Sequence, residues 1–220
     1  MNRIEKIYVF GEGEVPQWVQ QWEPHCEKAD LLLCSTHADD EHLWFGGTMP
    51  YYGGQLGKEV QVVYLMHHVT QRNHELLDGL WTVGITNYPV IAPFEDQWAG
   101  SLQEAEVIYD RDQVQAFQTE MIRRFKPDVV VGHDLKGEYG HGAHVLNAVT
   151  LQIAVENSGD ETFCPDSAEE YGTWTVQKCY LHLYDRGGEA EIIMDWEQPL
   201  SRFDGKTGFQ IYNHEITTVF

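Results

Sequence analysis

The runs Leu31-Leu32-Leu33-Cys34-Ser35 and Val129-Val130-Val131-Gly132 constrain the fold of this 220-residue chain more than any other feature. A strand with one wet face alternates apolar and polar residues. These runs do not alternate, so they read as strands covered on both faces, as in a parallel sheet. Strands are expected at 6–10, 30–35, 60–66, 88–92, 127–132 and 176–184. Between them, Val114, Phe117, Met121, Ile122 and Phe125 form an apolar stripe at helical spacing, which predicts a helix over 111–125. Asp110 and Asp112 open it, and Arg123, Arg124 and Lys126 close it before Pro127, as a helix dipole favours. Helices are also expected over 71–83, ending at Gly84, and over 144–155. Residues 157–173, rich in Gly, Ser, Asp, Glu and Pro, read as a long loop, and the chain from about 185 as irregular. Strand and helix in alternation predict one Rossmann-like α/β domain over 1–220, its mainly parallel sheet flanked by helices.

Composition narrows the partners. Apolar residues make up 42% of the chain, enough for a core, and the formal net charge of −21 opposes phosphate backbones and anionic headgroups. The one basic cluster is already accounted for by a helix end. Neither nucleic acid nor a membrane is therefore expected as a partner. Cys26, Cys34, Cys164 and Cys179 lack metal-binding spacing and suit reduced buried thiols, or a single disulfide in a secreted setting. The first six residues lack the basic-then-apolar pattern of a signal peptide. That gives the expectation of a cytoplasmic protein, or of a secreted one if a leader has been removed.

Three expected strands run directly into polar clusters. The first leads to Thr36-His37-Ala38-Asp39-Asp40-Glu41-His42, the second to His67-His68, and the third to His133-Asp134 and then Glu138-Tyr139-Gly140-His141-Gly142-Ala143-His144. Ligands of open α/β sheets bind beyond the strand C-termini, so these clusters are expected to converge on one active site. Two imidazoles and a carboxylate, with one position left for water, form a known catalytic zinc arrangement. His37 and Asp40 share a strand-to-helix turn, and His141 and His144 open a helix. Asp39 and Asp40 are adjacent and cannot point the same way. One can bind metal while the other takes a proton from water. Plainer readings exist: an acidic helix start for Asp39-Asp40-Glu41, and a polar helix face for His141 and His144. His67, His68 and His42 read as supporting or exposed residues, and His133 as orienting a ligand or ending its strand.

The pattern also resembles a known family. A strand followed by [A/S]-H-P-D-D-E, a Gly-Gly pair, and a distant G-E-Y-G-H-x-x-H is that of the PIG-L/LmbE-like de-N-acetylases. Here it stands as Thr36 to Glu41, Gly46-Gly47, and Gly137 to His144. The resemblance implies one zinc ion per chain, bound by His37, Asp40 and His144, with Asp39 as general base. It implies that His141 stabilises the oxyanion or protonates the leaving amine, and that Arg72 and Asp96 contact the substrate. That substrate would be a small N-acetylated amino sugar or its conjugate. Ala38 departs from the usual Pro, which removes a rigid turn residue but no functional group.

Other readings compete with this one. The same ligands form the facial triad of Fe(II) oxygen enzymes, although Asp39 suits water activation better. Gly11-Glu12-Gly13-Glu14-Val15-Pro16 follows an expected strand like a dinucleotide loop, but its third glycine is Pro16 and its two glutamates would repel a pyrophosphate. A carbohydrate-binding relative without catalysis is the last alternative. Specificity is expected to reside in the loops of 77–101 and 157–173.

Overall fold

The computed structural model describes residues 6–16, 18–67, 70–184, 190 and 192–212. In chain order they form β1 (Leu31–Ser35), α1 (Asp40–Leu43), a π-helical stretch (Met49–Gln55), β2 (Val60–His67), α2 (Thr70–Thr82) and β3 (Val90–Glu95). Then come α3 (Leu102–Ile108), α4 (Arg111–Phe125), β4 (Val129–Gly132), α5 (Gly142–Asn157), α6 (Pro165–Tyr171) and β5 (Lys178–Leu181). The strands build one parallel sheet in the order β3-β2-β1-β4-β5, with Leu31 beside Val60 on one side and Val129 on the other. This is the expected α/β architecture.

The continuous apolar runs have the cause inferred for them. Leu31 and Leu33 face a core shared with Phe45, Leu76 and Leu80, while Leu32 and Cys34 face Met121, Ile122, Phe125 and Leu151. Successive side chains of a strand point to opposite faces, and helices cover both faces here. All four cysteines are free thiols. Among the described residues, no helix is long and apolar enough to cross a membrane.

Several expectations need correction. Residues 6–10 form no strand: Ile7 and Val9 are 79% and 89% exposed. A β-prone composition makes a strand only with an edge to pair against and a face to bury, and this segment has neither. The strand expected over 88–92 is shifted to Val90–Glu95, after Pro89, and it contains Pro93. Proline is tolerated there because β3 is an edge strand and its register against β2 shifts between Tyr64 and Met66. α3 was not expected, although Ser101-x-x-Glu104 is a capping signature. The Ser101 hydroxyl accepts from the Glu104 N–H at 3.2 Å, and the Glu104 carboxylate accepts from the Gly100 N–H at 2.7 Å.

Residues 157–173 are not simply a long loop, since they carry α6, and Arg123, in the last turn of α4 as expected, does more than complement the helix dipole. Arg123 is fully buried. Its guanidinium donates to the carbonyls of Ser158, Asp160, Phe163 and Cys164 and to the Ser167 hydroxyl, at 2.7–3.1 Å. It thereby holds the segment that carries α6 against α4. Replacing Arg123 by Met keeps most of the packing but leaves buried acceptors unpaired. Urea unfolding should show a loss of about 3–5 kcal/mol, and Lys should not restore it because it lacks the planar fork of donors.

Candidate metal centre

β1 and β4 are adjacent and parallel, so the segments leaving their C-terminal ends open on the same side of the sheet. The first segment places His37 before α1 and Asp40 at its start, and the second places His144 in the first turn of α5. All three are buried. His37 Nδ1 lies 3.0 Å from Asp40 Oδ2 and 3.0 Å from His144 Nε2, and His144 Nε2 lies 3.1 Å from Asp40 Oδ2. Three potential donor atoms thus form a nearly equilateral triangle.

Their other contacts decide which way the lone pairs point. His144 Nδ1 lies 2.8 Å from the Glu138 carboxylate, which places its proton there and turns the Nε2 lone pair into the triangle. His37 Nε2 lies 3.4 Å from Asp96 Oδ1, so its proton belongs on that side. Asp40 Oδ2 also accepts the His37 backbone N–H at 2.8 Å, while Oδ1 accepts the Trp44 indole N–H at 2.9 Å. Two lone pairs and a carboxylate converging on one point repel each other unless positive charge is present. Tetrahedral bonds of the length zinc makes to nitrogen and oxygen hold donor atoms roughly 3.3 Å apart, so the triangle suits a cation of that size.

The site's charge acts in the same sense. Burial pulls His37 down, but the carboxylates of Asp40 and Asp96 outweigh it and hold the ring up to about 9. Burial raises Asp40, yet the His144 and His37 rings hold it well below the usual carboxylate range.

His133 and His141 also lie within ligand distance of this group, in the sets Asp40-His133-His144 and His37-His141-His144. Each has its lone pair committed elsewhere. His133 Nε2 accepts the Thr36 N–H at 3.1 Å while Nδ1 faces Glu138 at 2.6 Å. His141 caps α5: its Nδ1 accepts the Ala143 N–H at 3.2 Å, leaving Nε2 as the protonated nitrogen. Burial, reinforced by His37 and His144, pushes His141 down to about 4, so it is neutral near pH 7.

The remaining expected residues divide. Asp39 stands at the rim, its Oδ2 3.0 Å from Arg72 Nη2, so Arg72 braces Asp39. Asp96 lies beside His37. His42 is buried against Gly79, away from the triangle. His67 is exposed, and His68 lies outside the described residues. The segment 157–173 is not a wall of this site. α5, sixteen residues long, begins at the site and ends at Asn157, about 22 Å along its axis.

Sequence reasoning missed four contributors. Trp44 orients Asp40, and Glu138 gathers imidazoles. His182 stands at the end of β5, where the strand-end argument applies equally. Trp98 projects edge-on to His141, with ring centroids 4.6 Å apart. Trp98 is 71% exposed, but its loop is fixed: the Ala99 carbonyl accepts the Gly142 N–H at 2.8 Å, and the Tyr109 hydroxyl accepts the Gln97 N–H at 2.9 Å.

The model of the PIG-L family, described as GlcNAc-PI de-N-acetylase, matches residues 32–154. The chain belongs to this family. The matched segment of this PIG-L protein runs from β1 into α5 and contains His37, Asp39, Asp40, His141 and His144. Similar curated proteins include those of Geodermatophilus obscurus (28% identical, covering 79% of this chain and 69% of the relative) and Rhodococcus opacus (32%, covering 68% and 60%). That of Mycobacterium leprae is 28% identical, covering 72% and 61%. Each is named 1D-myo-inositol 2-acetamido-2-deoxy-alpha-D-glucopyranoside deacetylase. Against the Mycobacterium and Rhodococcus relatives, the chain spans about three fifths of their length.

The fold of this PIG-L protein also occurs in solved structures. A conserved protein from Thermus thermophilus superposes with a TM-score of 0.63 at 17% identity, covering 87% of this chain and 78% of that one. N,N'-diacetylchitobiose deacetylase from Pyrococcus horikoshii gives 0.60 at 18% identity, covering 85% and 71%.

Gly142 is required by the close approach of the Trp98 loop, because an added Cβ would overlap the Ser101 carbonyl. Gly142→Ala should therefore cost about 1–3 kcal/mol in equilibrium unfolding, since neither backbone can yield cheaply.

Proposed function

We propose that the chain is a zinc-dependent hydrolase that removes the N-acetyl group from an amino sugar or amino-sugar conjugate. His37, Asp40 and His144 hold the metal, Asp39 is the general base, and His141 stabilises the developing oxyanion. The observation that carries this reading is the donor triangle flanked by the Asp39 carboxylate, braced by Arg72, and the His141 Nε2–H. The family match and the relatives named as deacetylases support it.

When bound, zinc supplies Lewis acidity, lowering the pKa of a water molecule and polarising a carbonyl oxygen. Asp39 accepts the proton that the water gives up as it adds to the amide carbon. Arg72 holds that carboxylate in one orientation. His141 donates a hydrogen bond from its Nε2–H to the carbonyl oxygen as negative charge builds there. The departing amine needs a proton, and Asp39 now carries one to give. Acetate and a free amine result.

Trp98 and Tyr139 flank His141 and are 71% and 52% exposed, which supports a substrate with an apolar ring face to cover. Asp96, at the rim, is suited to accept sugar hydroxyls. The net charge of −21 favours an uncharged or cationic conjugate over an anionic phospholipid.

Acetate release from N-acetylglucosamine conjugates, measured with chelator and after zinc is restored, tests the reaction. Asp39→Ala should still bind one zinc ion but lose about 10²- to 10⁴-fold in kcat, whereas His144→Ala should lose the metal. Full activity in Asp39→Ala would sink the assigned mechanism.

A further inference from the structure

Glu138 is fully buried, and its two oxygens are used to capacity. Oε2 accepts from His133 Nδ1 at 2.6 Å and His144 Nδ1 at 2.8 Å. Oε1 accepts from His182 Nδ1 at 2.8 Å and the Asp134 backbone N–H at 3.1 Å. A carboxylate offers about four acceptor positions, and here four donors fill them. A carboxylate surrounded by three imidazoles raises the basicity of each ring and fixes each tautomer.

The backbone that delivers Glu138 is unusual. Gly137 and Gly140 have φ of 67° and 78°, and Tyr139, which is not glycine, has φ of 44°. A non-glycine residue in the left-handed region costs free energy and persists only when its surroundings hold it. The four hydrogen bonds on Glu138 add to the backbone ones that close this turn, such as Gly137 N–H to the Asp134 carbonyl at 2.8 Å, and the turn also presents Tyr139 and His141 to the site. His182 brings in a further element. It follows the edge strand β5 and lies beyond the family-matched residues 32–154. Its ring centroid is 6.0 Å from that of Trp44, the residue that orients Asp40.

We propose that Glu138 is the positioning residue of the metal centre, fixing ligand His144 in its metal-binding tautomer and tying His182 of the edge strand into the same network. The proposal rests on the reading that His37, Asp40 and His144 hold the metal. A glutamine at 138 cannot substitute. Whichever way its amide is turned, the NH2 group faces two donors, either the His133 and His144 rings or His182 and the Asp134 N–H.

The test is zinc affinity, measured by competition with a chromophoric chelator on wild type and Glu138→Gln, with circular dichroism of both metal-free proteins. The expected result is a folded variant with affinity weakened by about 10- to 100-fold. A folded variant binding within twofold of wild type would overturn the proposal. Wild-type protein that binds no zinc would overturn the metal reading itself, and the proposal with it. Should Glu138→Gln not fold, the wild-type zinc protein decides through nitrogen-15 NMR of its histidines. His133, His144 and His182 are expected as Nδ1–H tautomers, with a slowly exchanging Nδ1–H on His144. An Nε2–H tautomer at His144 would contradict the proposal.

Discussion

Asp40 Oδ2 is the atom on which the site depends. It accepts the His37 backbone N–H at 2.8 Å and stands 3.0 Å and 3.1 Å from the ring nitrogens of His37 and His144. One oxygen thereby shapes the turn after β1 and faces the first turn of α5, far apart in sequence. The sheet makes this possible. Parallel pairing of β1 with β4 sends both segments out on one side, and the covered strands leave them little freedom. Thr36 adds a second tie between the segments: its N–H goes to His133, and its hydroxyl accepts from Asn147 on α5 at 2.8 Å.

Burying carboxylates and imidazoles this closely is costly unless each charge has a partner. Every inner group has one. Trp44 takes the second oxygen of Asp40, Glu138 takes the far nitrogens of His133 and His144, and Arg72 takes Asp39. What these contacts leave over is directional. Two lone pairs and an anionic oxygen aim at one point, and the one hydrogen left on His141 stands beside it. Such an arrangement could hold a cation.

The parts legible in sequence were those governed by periodicity and strand-end logic. The helix expected over 111–125 matches α4 because its stripe, its Asp110 cap and its stop before Pro127 all agree. The convergence of His37, Asp40, His141 and His144 followed from the strands that lead to them. What was not legible depended on partners distant in sequence. Residues 6–10 have the composition of a strand, yet nothing in the segment tells whether a sheet edge is available. Arg123 has the position of a dipole-compensating charge, and only the carbonyls of 158–164 make it a buried clamp. Glu138 looks like any acidic loop residue until three imidazoles surround it. His182 was within reach of the strand-end argument, but the expected strand over 176–184 ran past it and hid its position.

The central claim is that one cation is held by His37 Nδ1, Asp40 Oδ2 and His144 Nε2. Anomalous diffraction at the zinc absorption edge, from crystals of the zinc-loaded protein, tests it most directly. The account predicts a single strong peak at bonding distance, roughly 2.0–2.2 Å, from all three atoms, with His133 and His141 outside the coordination sphere. A peak bonded to His133 or His141, or no peak at the triangle in protein that carries one equivalent of zinc, would contradict it.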